Sequence, residues 1–173
     1  PMMNTKKLVL IAILLAISIV LNIVERLMLG GITGLPMVRL GLSNIIILML
    51  FYLYRSKDAF LVLLLRVFIV GIFTSLFSPT FFLSLGGGLM AFFGMLFGVH
   101  IKSLSMIGVS VLGAFGHALG QITAAIILLE TQALIVYFPW LVALSIPTGV
   151  FTGFVALKMT NLLKDAFFKD ALI

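Results

Sequence analysis

The chain has 173 residues, of which 63% are hydrophobic and only 9% are charged, and its formal net charge is +6. A soluble domain devotes about a quarter of its residues to charged side chains because its surface faces water. This composition therefore excludes a soluble domain and predicts an all-α integral membrane protein. The sequence contains no cysteine, which excludes disulfides, thiolate metal sites and cysteine nucleophiles.

Six apolar runs follow one another along the chain, and most approach the ~20 residues that a helix needs to cross about 30 Å of hydrocarbon. The second run is short, and we expect its helix to begin in the preceding loop. One six-helix transmembrane domain is predicted over residues 2–160, and a short amphipathic cytoplasmic tail over residues 161–173. The predicted helices are 8–29, 41–54, 59–76, 81–101, 104–129 and 136–157.

The basic residues predict how these helices are oriented. They lie at the ends of the apolar runs, which indicates a role in topology and predicts no binding to nucleic acid. With a cytoplasmic N-terminus, only Arg26 and Arg39 lie at the outer ends. Cytoplasmic loops are enriched in Lys and Arg, so both termini are predicted to be cytoplasmic. The predicted cytoplasmic ends carry Lys6, Lys7, Arg55, Lys57, Lys102, Lys158, Lys164 and Lys169.

Small residues at four-residue spacing predict close contacts between helices, because both members of a pair lie on one helix face. The pairs are Ala12/Ala16, Gly94/Gly98, Gly116/Gly120 and Gly149/Gly153. Most such pairs serve ordinary packing. The glycine run Gly86 to Gly88 is predicted near the outer start of the fourth helix. It is either a flexible start or a place where a ligand meets the backbone.

Polar residues inside the apolar runs concentrate in the outer half of the predicted bundle. Arg66 is expected about 10–12 Å along its helix, close to the middle of the membrane. His117 and Gln121 are expected about 20–25 Å along theirs and share a face, since they are four residues apart. A charge at the bilayer centre costs about 2.5 kcal/mol or more, so it normally faces a partner or a wet cavity.

These residues together predict a binding site for a small anionic molecule, because positive charge is in surplus. The arginines would meet its negative groups, and Asn44, His117 and Gln121 would give directional hydrogen bonds. Three alternatives stay open: a strut between Arg66 and Glu25, a bond from His117 to a carbonyl, and interhelical bonds by Asn22 and Gln121. The candidate residues are Asn22, Glu25, Arg26, Arg39, Asn44, Arg66, His117 and Gln121.

Three motifs give the chain a resemblance to a known family. They are RLGLSNI at 39–45, LLRVFIVG at 64–71 and GAFGHALGQ at 113–121, with the glycine run between the last two. The chain resembles the bacterial Gx transporter family, often labelled heptaprenyl diphosphate synthase component I, over residues 8–157. That family is similar to the substrate-binding S-components of energy-coupling factor (ECF) transporters.

The resemblance implies a six-helix protein of the bacterial plasma membrane that captures a vitamin or cofactor precursor from outside. It implies a transmembrane coupling protein and two ABC ATPases as partners, besides the small-molecule substrate and the lipid bilayer. Ala12 and Ala16 match the small-residue pattern with which S-components dock on the coupling protein. The sequence has no nucleotide-binding loop, so we expect no bound cofactor and ATP use by the partner ATPases alone.

Prenyl chain elongation requires aspartate-rich motifs that hold Mg²⁺ on a diphosphate. Asp58, Asp165 and Asp170 are separated from one another, so we predict neither an enzyme nor a metal site. Two alternatives to an importer subunit remain. One is a non-catalytic membrane accessory subunit of isoprenoid or menaquinone synthesis. The other is a small autonomous carrier that uses Glu25, Arg66 and His117.

Overall fold

The computed structural model describes residues 5–32 and 41–167, and within them all regular secondary structure is helical. Six α-helices follow in chain order, with a 3₁₀ segment before the last. They are α1 (Thr5–Ile32), α2 (Asn44–Leu53), α3 (Ser56–Thr74), α4 (Pro79–His100), α5 (Met106–Leu129) and α6 (Phe138–Phe167), and the 3₁₀ segment is Gln132–Tyr137. The all-α architecture predicted from composition is thus confirmed for the described residues.

Four segments of the described chain are long and apolar enough to cross a membrane. They are Thr5–Met28, Pro79–His100, Met106–Leu129 and Gln132–Phe167. The third helix is 19 residues long but carries Lys57, Asp58 and Arg66. The structure therefore shows a multi-pass membrane protein with four long apolar helices. The crossing of all six helices and the side on which the termini lie stay predictions.

Helix α2 is short and lies at the centre of the bundle. Its 10 residues span about 15 Å, roughly half of the hydrocarbon thickness. It packs against all five other α-helices, and every residue from Asn44 to Leu50 is buried. The sequence NIIILMLFYL has no polar face, and a helix that is apolar all round is buried on all sides. The polar residue at its start, Asn44, is therefore carried into the interior.

Helices α4 and α5 touch at the level of their backbones. A Cβ atom added to Gly116 would collide with the carbonyl oxygen of Met90, and one added to Gly120 would collide with that of Gly86. At the other end of the contact, a Cβ on Gly94 would lie 2.7 Å from the carbonyl oxygen of Leu112. Only glycine allows this separation.

The contact between α5 and α6 also depends on glycine. A Cβ atom on Gly149 would lie 2.7 Å from the Cα of Val111, and one on Gly153 would lie 2.8 Å from the Cα of Ile107. The pair Gly149/Gly153 thus lies at a helix contact, like Gly116/Gly120. The α4–α5–α6 part of the bundle is consequently built on close backbone approaches.

Helix α1 packs against α2 and α3. Its buried residues recur every three or four positions, as expected for one helix face. They are Leu10, Ile11, Leu14, Ser18, Asn22 and Glu25. The opposite face includes Ala12 and Ala16, which are both exposed. This small-residue pair is therefore not used for packing within the described bundle.

Two predicted segments differ in detail from the structure. The run Gly86 to Gly88 is helical and lies inside α4, so it is not a flexible start. Residues 161–167 of the predicted tail continue α6 without a break, and residues 168–173 lie outside the described part of the chain.

Candidate functional site

Arg66 lies in the interior of the bundle, about 15 Å along α3 from Ser56. Its side chain is 2% exposed. Both terminal nitrogens point at one acceptor, the Oδ1 atom of Asn44, at 3.4 Å each. The Nε atom is buried without a hydrogen-bond partner. A guanidinium has five N–H donors, so one shared amide oxygen leaves much of this capacity unused.

Glu25 is buried near the N-terminal end of α2, and its carboxylate binds backbone groups. Its two oxygens accept from the N–H of Gly41 at 2.6 Å and of Leu42 at 3.1 Å. These N–H groups lie just before the first turn of α2, where negative charge is favoured. Glu25 thus holds the start of α2 in place.

The two charges nevertheless influence each other. Among the described residues, no carboxylate lies within salt-bridge distance of Arg66. Glu25 attracts the guanidinium electrostatically from farther away. The direct strut between Glu25 and Arg66, which the sequence left open, is therefore not formed in this structure.

Asn44 connects α3 to α5. Its Oδ1 atom faces the guanidinium of Arg66, and its Nδ2 atom lies 3.4 Å from the Nδ1 of His117. Gly41, at φ +78°, packs on this pair, since an added Cβ would lie 2.8 Å from the Asn44 Nδ2. A side chain at Gly41 would push the amide away from the imidazole.

His117 and Gln121 are buried on one face of α5, as their spacing predicts. The glycine run of α4 packs against them. A Cβ on Gly87 would lie 2.9 Å from the imidazole Cε1 and 3.0 Å from the Gln121 Cγ, and one on Gly88 would lie 3.4 Å from the NH2 of Arg66. Gln121 has a buried Nε2 without an acceptor in the described residues. The glycine run thus adjoins all three polar side chains.

Arg26 and Asn22 extend the cluster to α1. Arg26 donates to the Oδ1 of Asn22 at 3.2 Å, to the hydroxyl of Thr74 at 3.2 Å and to that of Ser84 at 3.5 Å. Asn22 in turn donates to the Ser43 hydroxyl at 3.5 Å. Arg26 therefore connects three helices with one side chain. The hydrogen bond of Asn22 thus reaches Ser43, the residue just before α2, which corresponds to the interhelical alternative that the sequence left open.

Three hydroxyl residues of this network, Ser43, Thr74 and Ser84, are absent from the sequence prediction. Ser43 precedes Asn44 in the motif RLGLSNI, and its position beside a candidate binding residue could have identified it. Thr74 and Ser84 resemble ordinary helix-end and helix-interior residues, and their role follows only from the reach of Arg26. Arg39 lies outside the described residues, and its predicted role stays a prediction.

A small cavity of about 10 Å³ borders the cluster between α2, α4, α5 and α6. This volume is close to the minimum that a single water molecule needs. The hydroxyls of Ser110 and Thr152 are hydrogen-bonded to each other at 2.9 Å in its wall. It is lined by Gly41, Asn44, Met95, Ser110, Gly113, Ala114 and Thr152. A guest larger than a water molecule therefore does not fit this cavity as it stands.

The chemistry of the cluster is that of hydrogen bonding and charge. The described residues contain no group of three or more His, Asp or Glu side chains that could hold a metal ion. The polar groups are guanidinium, carboxylate, amide, imidazole and hydroxyl groups from the five helices α1 to α5. Such an arrangement suits the binding of an anionic organic molecule.

The sequence model of one protein family, described as heptaprenyl diphosphate synthase component I, matches residues 14–159. The chain belongs to this family. The match confirms the family recognised from the motifs at 39–45, 64–71 and 113–121. Every candidate binding residue lies inside the matched region, and Ala12 lies just before it. Neither a curated protein nor a solved structure matches the chain.

Proposed function

We propose that the protein is the substrate-binding membrane subunit, or S-component, of an ECF-type ABC importer of the bacterial plasma membrane. It captures from outside a small anionic molecule, a vitamin or a quinone- or isoprenoid-related cofactor precursor. One observation carries this proposal, the environment of the Arg66 side chain. It is 2% exposed, both of its terminal nitrogens donate to the single amide oxygen of Asn44, and its Nε has no hydrogen-bond partner. A buried cation with unused donors is a site for an anion.

The charge balance at this depth supports the same proposal. The described cluster contains two arginines, Arg26 and Arg66, and one glutamate, Glu25, which leaves one positive charge in excess. The cost of a buried charge is offset only by a close partner with good geometry. Since the carboxylate of Glu25 binds backbone N–H groups, a guest with one negative charge would supply that partner.

The surface of α1 supports a docking role. Ala12 and Ala16 are exposed, four residues apart, on a helix whose other face is buried. Small residues let a second transmembrane helix approach closely. We assign this face to the coupling protein, and we assign ATP hydrolysis to two partner ATPases. The subunit itself works without a bound cofactor and without catalysis.

The family description favours a second candidate, a non-catalytic accessory subunit of prenyl diphosphate or menaquinone synthesis. The two functions differ in their partners, since an accessory subunit would bind the catalytic prenyl transferase. They also differ in the buried site, because an accessory subunit needs no small-molecule ligand.

Ligand binding tests the importer proposal directly. We expect an acidic member of a panel of vitamins and quinone precursors to raise the melting temperature of the purified protein. A ligand at 100 times its Kd stabilises the fold by about 2.7 kcal/mol. Arg66→Ala should abolish this shift, whereas Lys57→Ala, which removes an exposed positive charge from the same helix, should keep it. An equal shift in Arg66→Ala would contradict the assigned role.

Co-purification from native membranes tests the docking face. The wild-type protein should bring down a membrane coupling protein and two ATPases. Ala12→Leu with Ala16→Leu should reduce their recovery at least tenfold, because leucine keeps the partner helix at a distance. The control is Ala143→Leu, the same exchange at an exposed position of α6. Recovery of a prenyl transferase in place of the ATPases would favour the accessory role.

A further inference from the structure

We propose that Asn44 sets the direction of hydrogen bonding throughout the buried site and thereby holds His117 in the neutral Nε2–H form. A site arranged in this way presents donors to its guest and selects a headgroup that only accepts hydrogen bonds, such as a deprotonated carboxylate. The headgroup selection rests on the proposed ligand-binding function. The tautomer assignment is independent of any ligand.

The first step concerns the amide of Asn44. Arginine carries donors only, and both terminal nitrogens of Arg66 lie 3.4 Å from the same amide atom. That atom must therefore be the amide oxygen, since the orientation of an amide follows from its partners. The amide nitrogen then necessarily faces α5. Arg66 thus fixes which way Asn44 is turned.

The second step concerns the imidazole. The Nδ2 of Asn44 lies 3.4 Å from the Nδ1 of His117, and the amide nitrogen can only donate. Nδ1 must accept, so it carries no proton, and the ring proton is on Nε2. Protonation of Nδ1 would bring two donors face to face. The neutral Nε2–H form is thus dictated by Arg66 through Asn44.

The neighbouring charges agree with a neutral imidazole. The charged groups of the described cluster are Arg66 from α3 and Arg26 and Glu25 from α1, and Glu25 binds the N–H of Gly41. Helices α4 and α6 and the 3₁₀ segment have no charged residue at this depth, and the titratable residue of α2, Tyr52, lies near its other end. Among the described cations, Arg66 is linked to the imidazole through Asn44 and opposes a positive charge on the ring.

The third step concerns what a guest meets. The Nε of Arg66 and the Nε2 of Gln121 have no acceptor in the described residues. The imidazole of His117 carries its N–H donor on Nε2, the ring nitrogen that does not face Asn44. The backbone at Gly87 and Gly88 adjoins these side chains. A carboxylate has acceptors alone, so it fits donors on every side. An amide or an alcohol brings its own N–H or O–H against another donor.

Nitrogen NMR of the imidazole tests the tautomer without a ligand. The chain has two histidines, and the substitution His100→Gln removes one of them, so that the remaining histidine signals come from His117. With ring-¹⁵N histidine, we expect Nδ1 at the shift of an unprotonated nitrogen and Nε2 at that of a protonated one. In Asn44→Asp, both carboxylate oxygens accept, so Nδ1 should become protonated. A protonated Nδ1 in the otherwise wild-type protein would overturn the assignment, even if Asn44→Asp failed to fold.

Binding of matched probes tests the headgroup selection. 2-Naphthoate, 2-naphthamide and 2-naphthylmethanol share one apolar body and differ in the headgroup. We expect the acid to bind at least tenfold more tightly than the other two, and we expect Asn44→Asp to remove this preference. Equal binding of acid and amide would overturn the selection while leaving the proposed function intact. No binding by any of the three, together with the expected tautomer, would overturn the headgroup selection and count against the proposed function, but not against the role of Asn44.

Discussion

Between α4 and α5 the backbones touch, whereas α1 meets its neighbours through side chains. The first contact is made by glycines against carbonyl oxygens, at Gly116 against Met90 and at Gly120 against Gly86. Such contacts bring many main-chain atoms together and leave no room for rearrangement. This pair of helices carries His117 and forms the rigid side of the site.

The charged residues that anchor helix α1 lie towards its two ends. At one end the Lys7 ammonium lies 2.7 Å from the Asp58 carboxylate and 5.1 Å from the ring centre of Tyr54. At the other end Glu25 holds the N–H groups before α2 and Arg26 reaches α3 and α4. Regions held by few contacts open more easily than the core. The site therefore has one fixed wall, formed by α4 and α5, and one wall, formed by α1, that can be released.

The largest effect is expected from a methyl group placed in the fixed wall. Gly120→Ala should destabilise the protein by about 2 kcal/mol or more, because its Cβ collides with the Gly86 carbonyl oxygen. Alanine favours a helix over glycine by about 1 kcal/mol, so this loss runs against propensity. Gly108→Ala is the matched control, since the three atoms nearest to its Cβ all belong to side chains, the first being the flexible Leu104 side chain at 3.0 Å. Unfolding in mixed micelles measures the stability of both variants, and equal stability would show that the α4–α5 contact is not rigid.

A smaller effect is expected where α1 meets the start of α2. Glu25→Gln should cost about 1–3 kcal/mol, because the amide has one acceptor oxygen for the two N–H groups of Gly41 and Leu42. Hydrogen exchange at Gly41 and Leu42 should accelerate. Glu130→Gln, at an exposed position after α5, should change neither quantity. Unchanged exchange in Glu25→Gln would show that the carboxylate does not hold this segment.

The smallest effect is expected at the far end of α1. Lys7 and Asp58 are 27% and 14% exposed, and partly exposed ion pairs contribute about 1 kcal/mol or less. A double-mutant cycle with Lys7→Met and Asp58→Asn should give a coupling of this size that shrinks with added salt. A coupling above about 2 kcal/mol would mean that α1 is fixed as firmly as α5.

Much of this arrangement could be predicted because helix spacing is regular. Four residues separate His117 from Gln121 and Asn22 from Arg26, and both pairs share a face as expected. The position of Arg66 near the middle of its helix followed from its distance to the start of its apolar run. Such predictions need only the rise and the period of an α-helix.

Other features depend on where the chain turns, and no spacing rule gives them. The partners of Glu25 are the backbone groups of Gly41 and Leu42, and sequence reasoning pairs charges with charges. The run Gly86 to Gly88 suggested flexibility, whereas its close packing against α5 makes it part of a rigid helix. The roles of such glycines are set by the neighbouring helix rather than by their own segment.

The exposed face of α1 has a consequence for how a molecule from outside could reach the arginine. Helices α4, α5 and α6 cannot separate without breaking main-chain contacts at several glycines, such as Gly120 and Gly149. The bundle is therefore expected to open laterally, by separation of α1 from α2 and α3. A ligand with an apolar part could enter laterally from the lipid. The proposed coupling partner, bound at Ala12 and Ala16, would then act on the same helix that moves to admit the ligand.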